Sequence, residues 1–520
     1  MTISFGWSLD FTGATRRLAT VMSVAFLGSA LLVPAPAHAA DPYDPASDMN
    51  SMYNTTAYTG ATAWWAAGYT GAGVDVALID TGVSPVEGLT TPGKIIYGPD
   101  LSLESQAPNL TNLDTNGHGT FMAGLIAGHD TALSAPYATA PASAFRGMAP
   151  EARIVSLKVG VADGGTDVSQ MIAAIDWVVQ HKNDNGMNIR VLNLSYGTDS
   201  SQSYVADPLA FAVEQAWNAG IFVVAATGNE GYVARTGSLT NPAYDPNILA
   251  VGASDSMGTA GLADDVVAAF SSTGSPSRYV DVVAPGSHLQ GLQVPNSYID
   301  ATYPGGRIDT RFFRGSGTSQ AAAIVAGAAA LAIQRYPSID PLTLKYLFRS
   351  SAHVLPCGGC SQRAQGQGEI DLAKMLALTP YTKKGALPKA STGTGSLELS
   401  RGSEHLTRDG VVLSGEQDIF GQAFDSAAMA TAEAAGNSWS GGTWNGNSWS
   451  GNSWSGNSWS GNSWSGNSWS GNSWSGNSWS GNSWSGNSWS GNSWSGNSWS
   501  GNSWSGNSWS GNSWSTGSWN

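Results

Sequence analysis

The chain has 520 residues, 37 of them Asp or Glu against 23 Lys or Arg, for a formal net charge of −14. Residues 436–520 contain none of these four types, so the negative excess belongs entirely to the first 435 residues. Without any cluster of Lys and Arg, that balance excludes nucleic acid and anionic membrane surfaces as main partners, because both reward grouped positive charge.

At the N-terminus Arg16 and Arg17 precede an apolar run from Leu18 to Val33, then Pro34 and the small-residue string Ala37, His38, Ala39. A charged region, an apolar core and an A-x-A site in that order predict an export signal over residues 1–39. The run is short for a membrane anchor. The paired arginines point toward the twin-Arg route, whose pattern Ala19 and Thr20 fit poorly. No later segment is apolar enough to cross a bilayer, so no membrane span is expected in the mature chain. Residues 40–60 read as a short N-terminal segment.

From Tyr69 onward, short apolar runs rich in β-branched residues alternate with helical patterns, the signature of a parallel sheet covered by helices. Strands are predicted at 74–80, 152–159, 190–196, 221–226, 248–253 and 280–284. Helices are predicted at 167–182, where Val168, Met171, Ile172, Ile175 and Val179 recur at helical spacing, and at 207–219. A long helix is expected over 318–336 and a shorter one over 341–351. Together they predict one α/β domain over residues 61–377, large enough for a substantial core.

The two cysteines, Cys357 and Cys360, lie in the string CGGC. In an exported chain a small disulfide loop is the natural reading, worth about 2 kcal/mol by loop entropy. Zinc is the rival, with His353 as a third ligand and no fourth nearby. Residues 378–435 read as a linker with one hairpin around 396–414. From Trp439 to Trp519 a Trp then recurs every five residues, seventeen times, mostly as SGNSW. A Gly in every repeat and a five-residue step exclude a helix, leaving a β-solenoid of short extended pieces or a disordered tail. Exposed Trp would suit stacking on cell-wall sugars or on other tails, against a plain spacer as the alternative.

Hydrolysis of an amide requires a nucleophile, a base beside it, a group that holds the base in one tautomer, and donors for the developing oxyanion. Asp80 ends the apolar strand VALID, where the crevice of an open α/β sheet opens; alone it reads equally as a turn-forming Asp. His118 sits between glycines in NGHGTFMAG at the start of a helical run, although a lone His is usually structural. Ser319 follows Gly315 and Gly317 into an Ala-rich helix, where orphan backbone N–H groups and the helix dipole favour an oxyanion; by itself it, or Thr318, reads equally as a helix cap.

Taken in order, DTG at Asp80, GHGT at His118, NLSYG, ATGNEG, VVAPG and GTS at Ser319 resemble the subtilisin-like serine proteases, the subtilase family, over roughly residues 61–377. The resemblance implies a secreted serine endopeptidase acting on proteins or peptides through an acyl-enzyme. His118 would take the proton of Ser319 and Asp80 would orient His118. The Asn229 amide and the Ser319 backbone N–H would hold the oxyanion. Ser195 to Gly197 would pair with the substrate main chain, and Ala226 and Gly228 would line the specificity pocket. Glu230 beside Asn229 hints at tolerance for basic side chains.

No cofactor is expected; calcium is frequent in the family, but no ligand set is visible. Activity is expected at neutral to alkaline pH, where an imidazole base is uncharged. The chain departs from the family pattern at Gln320, Ala323 and Ile324, where Met and then a Pro-His pair are usual, and at Thr227, where a small residue is common. About 20 residues between the export signal and the domain are too few for a folded N-terminal chaperone segment. The alternative function is a cell-surface binding or adhesin protein built on an inactive protease scaffold, with the Trp repeats as its working part. A lipase or esterase would need GxSxG and the order Ser, Asp, His.

Overall fold

The computed structural model describes residues 43–107, 109–231, 239–356, 361–381, 387–408 and 411–437, with the pairs 443–444 and 447–448. The segment expected as an export signal (1–39), Cys357, Cys360 and almost all of the repeat tail lie outside the described residues. In chain order the elements open with α1 (Met52–Tyr58), α2 (Ala61–Ala66), β1 (Asp75–Asp80), β2 (Ile95–Asp100) and α3 (His118–Ala127). Then come β3 (Arg153–Lys158), α4 (Val168–His181), β4 (Ile189–Leu194), α5 (Pro208–Asn218), β5 (Phe222–Ala226), β6 (Leu249–Asp255), β7 (Val266–Val267), β8 (Val282–Pro285) and β9 (Leu289–Leu292). The second half holds α6 (Tyr298–Thr302), β10 (Phe312–Gly315), α7 (Thr318–Arg335), α8 (Pro341–Ser351), α9 (Gln362–Gln365) and α10 (Leu372–Ala377). It ends with α11 (Leu397–Arg401), the hairpin β11 (Thr407–Arg408) and β12 (Val411–Val412), and α12 (Ser426–Ala434).

The main sheet runs β2-β3-β1-β4-β5-β6-β7, with β8 also paired to β6. Every pairing in it is parallel except β6 with β7. Its central strands are buried on both faces, which is why they read as unbroken apolar runs. Successive side chains still alternate between the two sides. Val76, Leu78, Val191 and Val224 join α2, α3, α7 and α8 in one core. Ala77, Ile79, Leu192 and Val223 join α4 and α5 in the other. The predicted subtilisin-like α/β architecture is the one observed.

Helix starts follow the local chemistry. Asp167 accepts from Ser169 N and forms a capping box with Gln170 at the head of α4. Asp207 and Asp340 cap α5 and α8, each followed by a Pro that suits the first helical position.

Three stretches differ from expectation. The strand β2 lies in IIYGPD, where Gly98 and Pro99 hide the strand signal. The N-terminal segment before residue 61 belongs to the core, because Met52 of α1 is fully buried. The segment expected as a linker packs on the domain instead: Leu397, Leu406, Leu413, Ile419, Phe420, Phe424 and Met429 are buried in the core that holds α4 and α5. Their spacing is irregular because loops and short elements, not one long helix, carry them to that core. Among the described residues no helix is long and apolar enough to cross a membrane.

Candidate active site

Parallel register places three expected residues in one row. Ile79 pairs with Leu194 and Leu194 with Ala225, so Asp80, Ser195 and Ala226 follow one another across the carboxyl edge of β1, β4 and β5. Asp80 is buried, and its Oδ1 accepts from Thr81 N at 2.8 Å and stands 2.7 Å from His118 Nδ1. With Nδ1 engaged by a carboxylate, the proton belongs on that nitrogen and Nε2 is left as the basic one.

His118 is the first residue of α3, where Gly117 (φ 106°) provides no side-chain cap. The cap comes from Asp114, which the sequence reading missed. Its Oδ1 accepts from Gly117 N at 2.7 Å and its Oδ2 from Thr120 N at 2.7 Å. Asp114 also accepts from Thr81 Oγ1 at 2.8 Å, and Thr81 Oγ1 accepts from Gly119 N at 2.9 Å. With Asn116 Oδ1 accepting from His118 N at 3.2 Å, these side chains together satisfy the head of α3, and Asp114 ties it to the turn after β1. An Asp four residues before His118 in DTNGH was the available signal, since acids are favoured ahead of helix starts.

Lys158 was also missed. It pairs with Asp80 in register, and its buried ammonium donates to Leu113 O at 2.6 Å and Thr81 O at 3.1 Å. Its charge is balanced by Glu104 Oε2 at 2.8 Å. The two loops that carry Asp80 and His118 are therefore clasped from beneath by one cation.

Ser319 is the second residue of α7, the helix that packs against α3. It is fully buried, and its Oγ donates to Ser195 O at 3.3 Å. The helix begins without a local cap, because Gly317 is extended. Asn229 replaces it: Oδ1 accepts from Thr318 N at 2.9 Å and from Thr318 Oγ1 at 3.1 Å. A backbone N–H can only donate, so the amide orientation is determined, with Oδ1 and not Nδ2 facing Thr318. Gln320, Ala323 and Ile324, the departures from the family pattern, are buried in α7.

The residues expected to line the substrate edge and pocket meet at Thr240. A Cβ on Gly197 would lie 2.5 Å from Thr240 Oγ1, and one on Gly228 would lie 2.7 Å from Thr240 Cγ2 and 2.6 Å from Glu230 Oε2. Gly228 also has φ 100°, so any side chain there would be strained as well as crowded. Thr240 Oγ1 donates to Ala226 O at 3.1 Å. Glu230 is exposed and accepts from Ser272 Oγ at 2.5 Å. His353 pairs through its backbone with Glu369, and among the described residues no three His, Cys, Asp or Glu side chains gather as a metal site.

The Subtilase family model matches residues 71–385. Serine protease AprX of Bacillus subtilis (strain 168) is 38% identical over 288 residues, which is 54% of this chain and 61% of AprX. Subtilisin Savinase of Lederbergia lenta is 33% identical over 288 residues, 55% of this chain and 86% of Savinase. A solved structure described as a cold adapted subtilisin-like serine proteinase aligns with 58% of this chain and 89% of its own at 28% identity, with a TM-score of 0.42. The chain thus spans less than two thirds of AprX. With well over half of its residues matched by the family model, the chain belongs to the subtilase family.

Proposed function

We propose that this protein is a secreted serine endopeptidase that cleaves peptide bonds through an acyl-enzyme. The observation that carries the reading is the 2.7 Å contact between His118 Nδ1 and Asp80 Oδ1 at the carboxyl edge of the sheet. In this reading Nε2 of His118 takes the proton of Ser319 Oγ as the hydroxyl attacks the scissile carbonyl. The positive charge that forms on the imidazole is stabilised by Asp80. The oxygen of the tetrahedral intermediate is held by Asn229 Nδ2 and the backbone N–H of Ser319, an orphan donor in the first turn of α7. His118 then returns the proton to the leaving amine, and a water activated by the same base releases the acid.

The substrate main chain adds as a strand beside Ser195 to Gly197, with its side chain against Ala226 and Gly228. The predicted signal over 1–39 places the enzyme outside the cell, and the Trp repeats serve as its attachment to wall sugars or to other tails.

A fluorophosphonate probe tests the chemistry. It labels the wild-type chain on Ser319, and Ser319→Ala abolishes both labelling and peptide hydrolysis. A wild-type chain that stays unlabelled is instead an inactive scaffold. Co-sedimentation with whole cells, lost when the chain ends near residue 437, tests the attachment role.

A further inference from the structure

We propose that the segment Ser391–Ser403, beyond the stretch matched by the family, braces the substrate-binding edge, with Ser400 as a positioning residue and Arg401 as its anchor. The proposal rests on the reading that Ser195 to Gly197 pairs with substrate.

The substrate edge leaves the sheet after Leu194, and its next fixed point is Thr198. Thr198 N donates to Asn241 O at 3.0 Å and Asn241 N to Thr198 O at 2.9 Å. Asn241 adjoins Thr240, the residue against which Gly197, Ala226 and Gly228 all converge. The Thr198–Asn241 pair therefore sets where the pocket wall stands.

Ser400 seals that pair from behind. Its backbone oxygen accepts from Thr198 Oγ1 at 2.6 Å. Its hydroxyl accepts from Asn241 Nδ2 at 3.0 Å and donates to Asp207 Oδ1 at 2.9 Å. Thr198, Asn241, Asp207 and Ser400 are all buried, so each of these bonds replaces water that cannot enter.

The next residue holds the brace in place. The Arg401 guanidinium is fully buried; Nε donates to Asp167 Oδ2 at 2.6 Å, Nη1 to Gly415 O at 2.7 Å and Nη2 to Gln417 O at 2.6 Å. A buried ion pair adds little net stability, but it strongly disfavours any arrangement in which one partner is left alone, so it fixes register.

The rest of the segment runs along the loop that continues the substrate edge. Thr392 N donates to Val205 O at 2.7 Å and Gly395 N to Ala206 O at 2.6 Å. Gln202 Nε2 donates to Ser396 O at 2.7 Å, and Ser403 N to Asp199 Oδ1 at 2.6 Å. These hydrogen bonds fall on residues 198–207, Glu214 and Asn241 of the domain, and on Asp167 through Arg401. A brace so placed acts on how an extended peptide is seated, not on the attacking group.

The test uses the full chain with Thr198→Val, which removes the bond to Ser400 O at constant shape, and Ser400→Ala, which removes the hydroxyl and keeps that carbonyl. Three quantities are compared with wild type: the rate of Ser319 labelling by a small fluorophosphonate, turnover of a single-residue ester, and turnover of a tetrapeptide amide. The brace predicts that KM for the tetrapeptide rises about fivefold, the effect of one buried hydrogen bond, while labelling and ester turnover stay within about twofold. Equal losses in all three would reduce the segment to a stabilising wrap, and unchanged KM would remove the brace outright. Wild-type protein that neither labels nor turns over substrate would overturn the protease reading and the brace with it. Labelling of wild type with no split in the variants overturns the brace alone. Should Thr198→Val not fold, shown by its thermal melt, Ser400→Ala carries the same comparison.

Discussion

Gly119 and Gly82 meet so closely that a Cβ on Gly119 would lie 2.2 Å from Gly82 O, and 3.0 Å from Asp80 Oδ1. The residue after His118 is thus pressed onto the turn after Asp80, and only glycine permits it. Gly119→Ala is expected to cost about 1–3 kcal/mol of stability through overpacking. By moving the imidazole relative to the carboxylate it should lower kcat/KM by about 100-fold. Urea unfolding and peptide hydrolysis measure the two effects, and near-wild-type turnover would contradict the geometry.

Asp114 is expected to matter beyond its place in the fold. Asp114→Ala leaves Gly117 N, Thr120 N and Thr81 Oγ1 without their buried acceptor. A loss of about 2 kcal/mol or more in unfolding free energy follows. The head of α3 carries His118, so kcat should fall at temperatures where the variant is still folded by circular dichroism.

The helix-capping role of Asn229 and its proposed oxyanion role separate experimentally. Asn229→Ala removes the donor proposed for the oxyanion, with an expected loss of about 10²–10³ in kcat and little change in KM. It also uncaps α7, at about 1 kcal/mol. Steady-state kinetics beside a thermal melt distinguishes them; a variant that loses only stability would leave Asn229 as a cap and nothing more.

Acid stability should depend on Asp281. Burial alone would raise its carboxyl, but the Lys345 ammonium and the Arg278 and Arg349 guanidinium groups outweigh burial and hold it at about 2. An unfolded Asp titrates at about 3.9, so the stabilisation is complete above that pH and lost as pH falls toward 2, about 2–3 kcal/mol in all. The stability gap between wild type and Asp281→Asn should therefore narrow between about pH 6 and pH 2.5 in urea unfolding.

Asp418 carries the opposite sign. Burial pushes its carboxyl up to about 7, against the pull of the backbone N–H groups of Gln422 and Phe420. Its contribution is present below the unfolded value of about 3.9 and lost as pH rises through about 7. Asp418→Asn keeps an oxygen for those two N–H donors, so it should raise Tm, and the gain should grow between about pH 4 and pH 8. A constant difference across that range would show that Asp418 is not charged against its surroundings.

The central sheet and long helices were legible because each must bury apolar area with a regular period. The helix 341–351 matches α8 in full, and 318–336 differs from α7 by one residue. Asp80 stood out at the end of an apolar strand, His118 between two glycines and Ser319 at the head of an Ala-rich helix, and their strings resemble one family. What stayed hidden acts through groups with no residue signature. Lys158 grips Thr81 O and Leu113 O, and any residue at those positions would offer the same oxygen. The packing of the segment from Leu397 to Met429 was missed because its buried apolar residues follow no regular period, and because Arg401 finds its partner Asp167 at a distance of 234 residues in the chain.

The helix α7 is buried from Thr318 to Ile333, with strands β1, β4, β5, β6 and β8 and helix α3 packed around it, and 8 of its 18 residues are Ala. An axle so slender and so closely wrapped offers nowhere for growth or drift: almost any larger residue along it would push several neighbours at once. Substitutions that the fold tolerates are therefore expected at the rim loops and the strap behind them rather than along this hub.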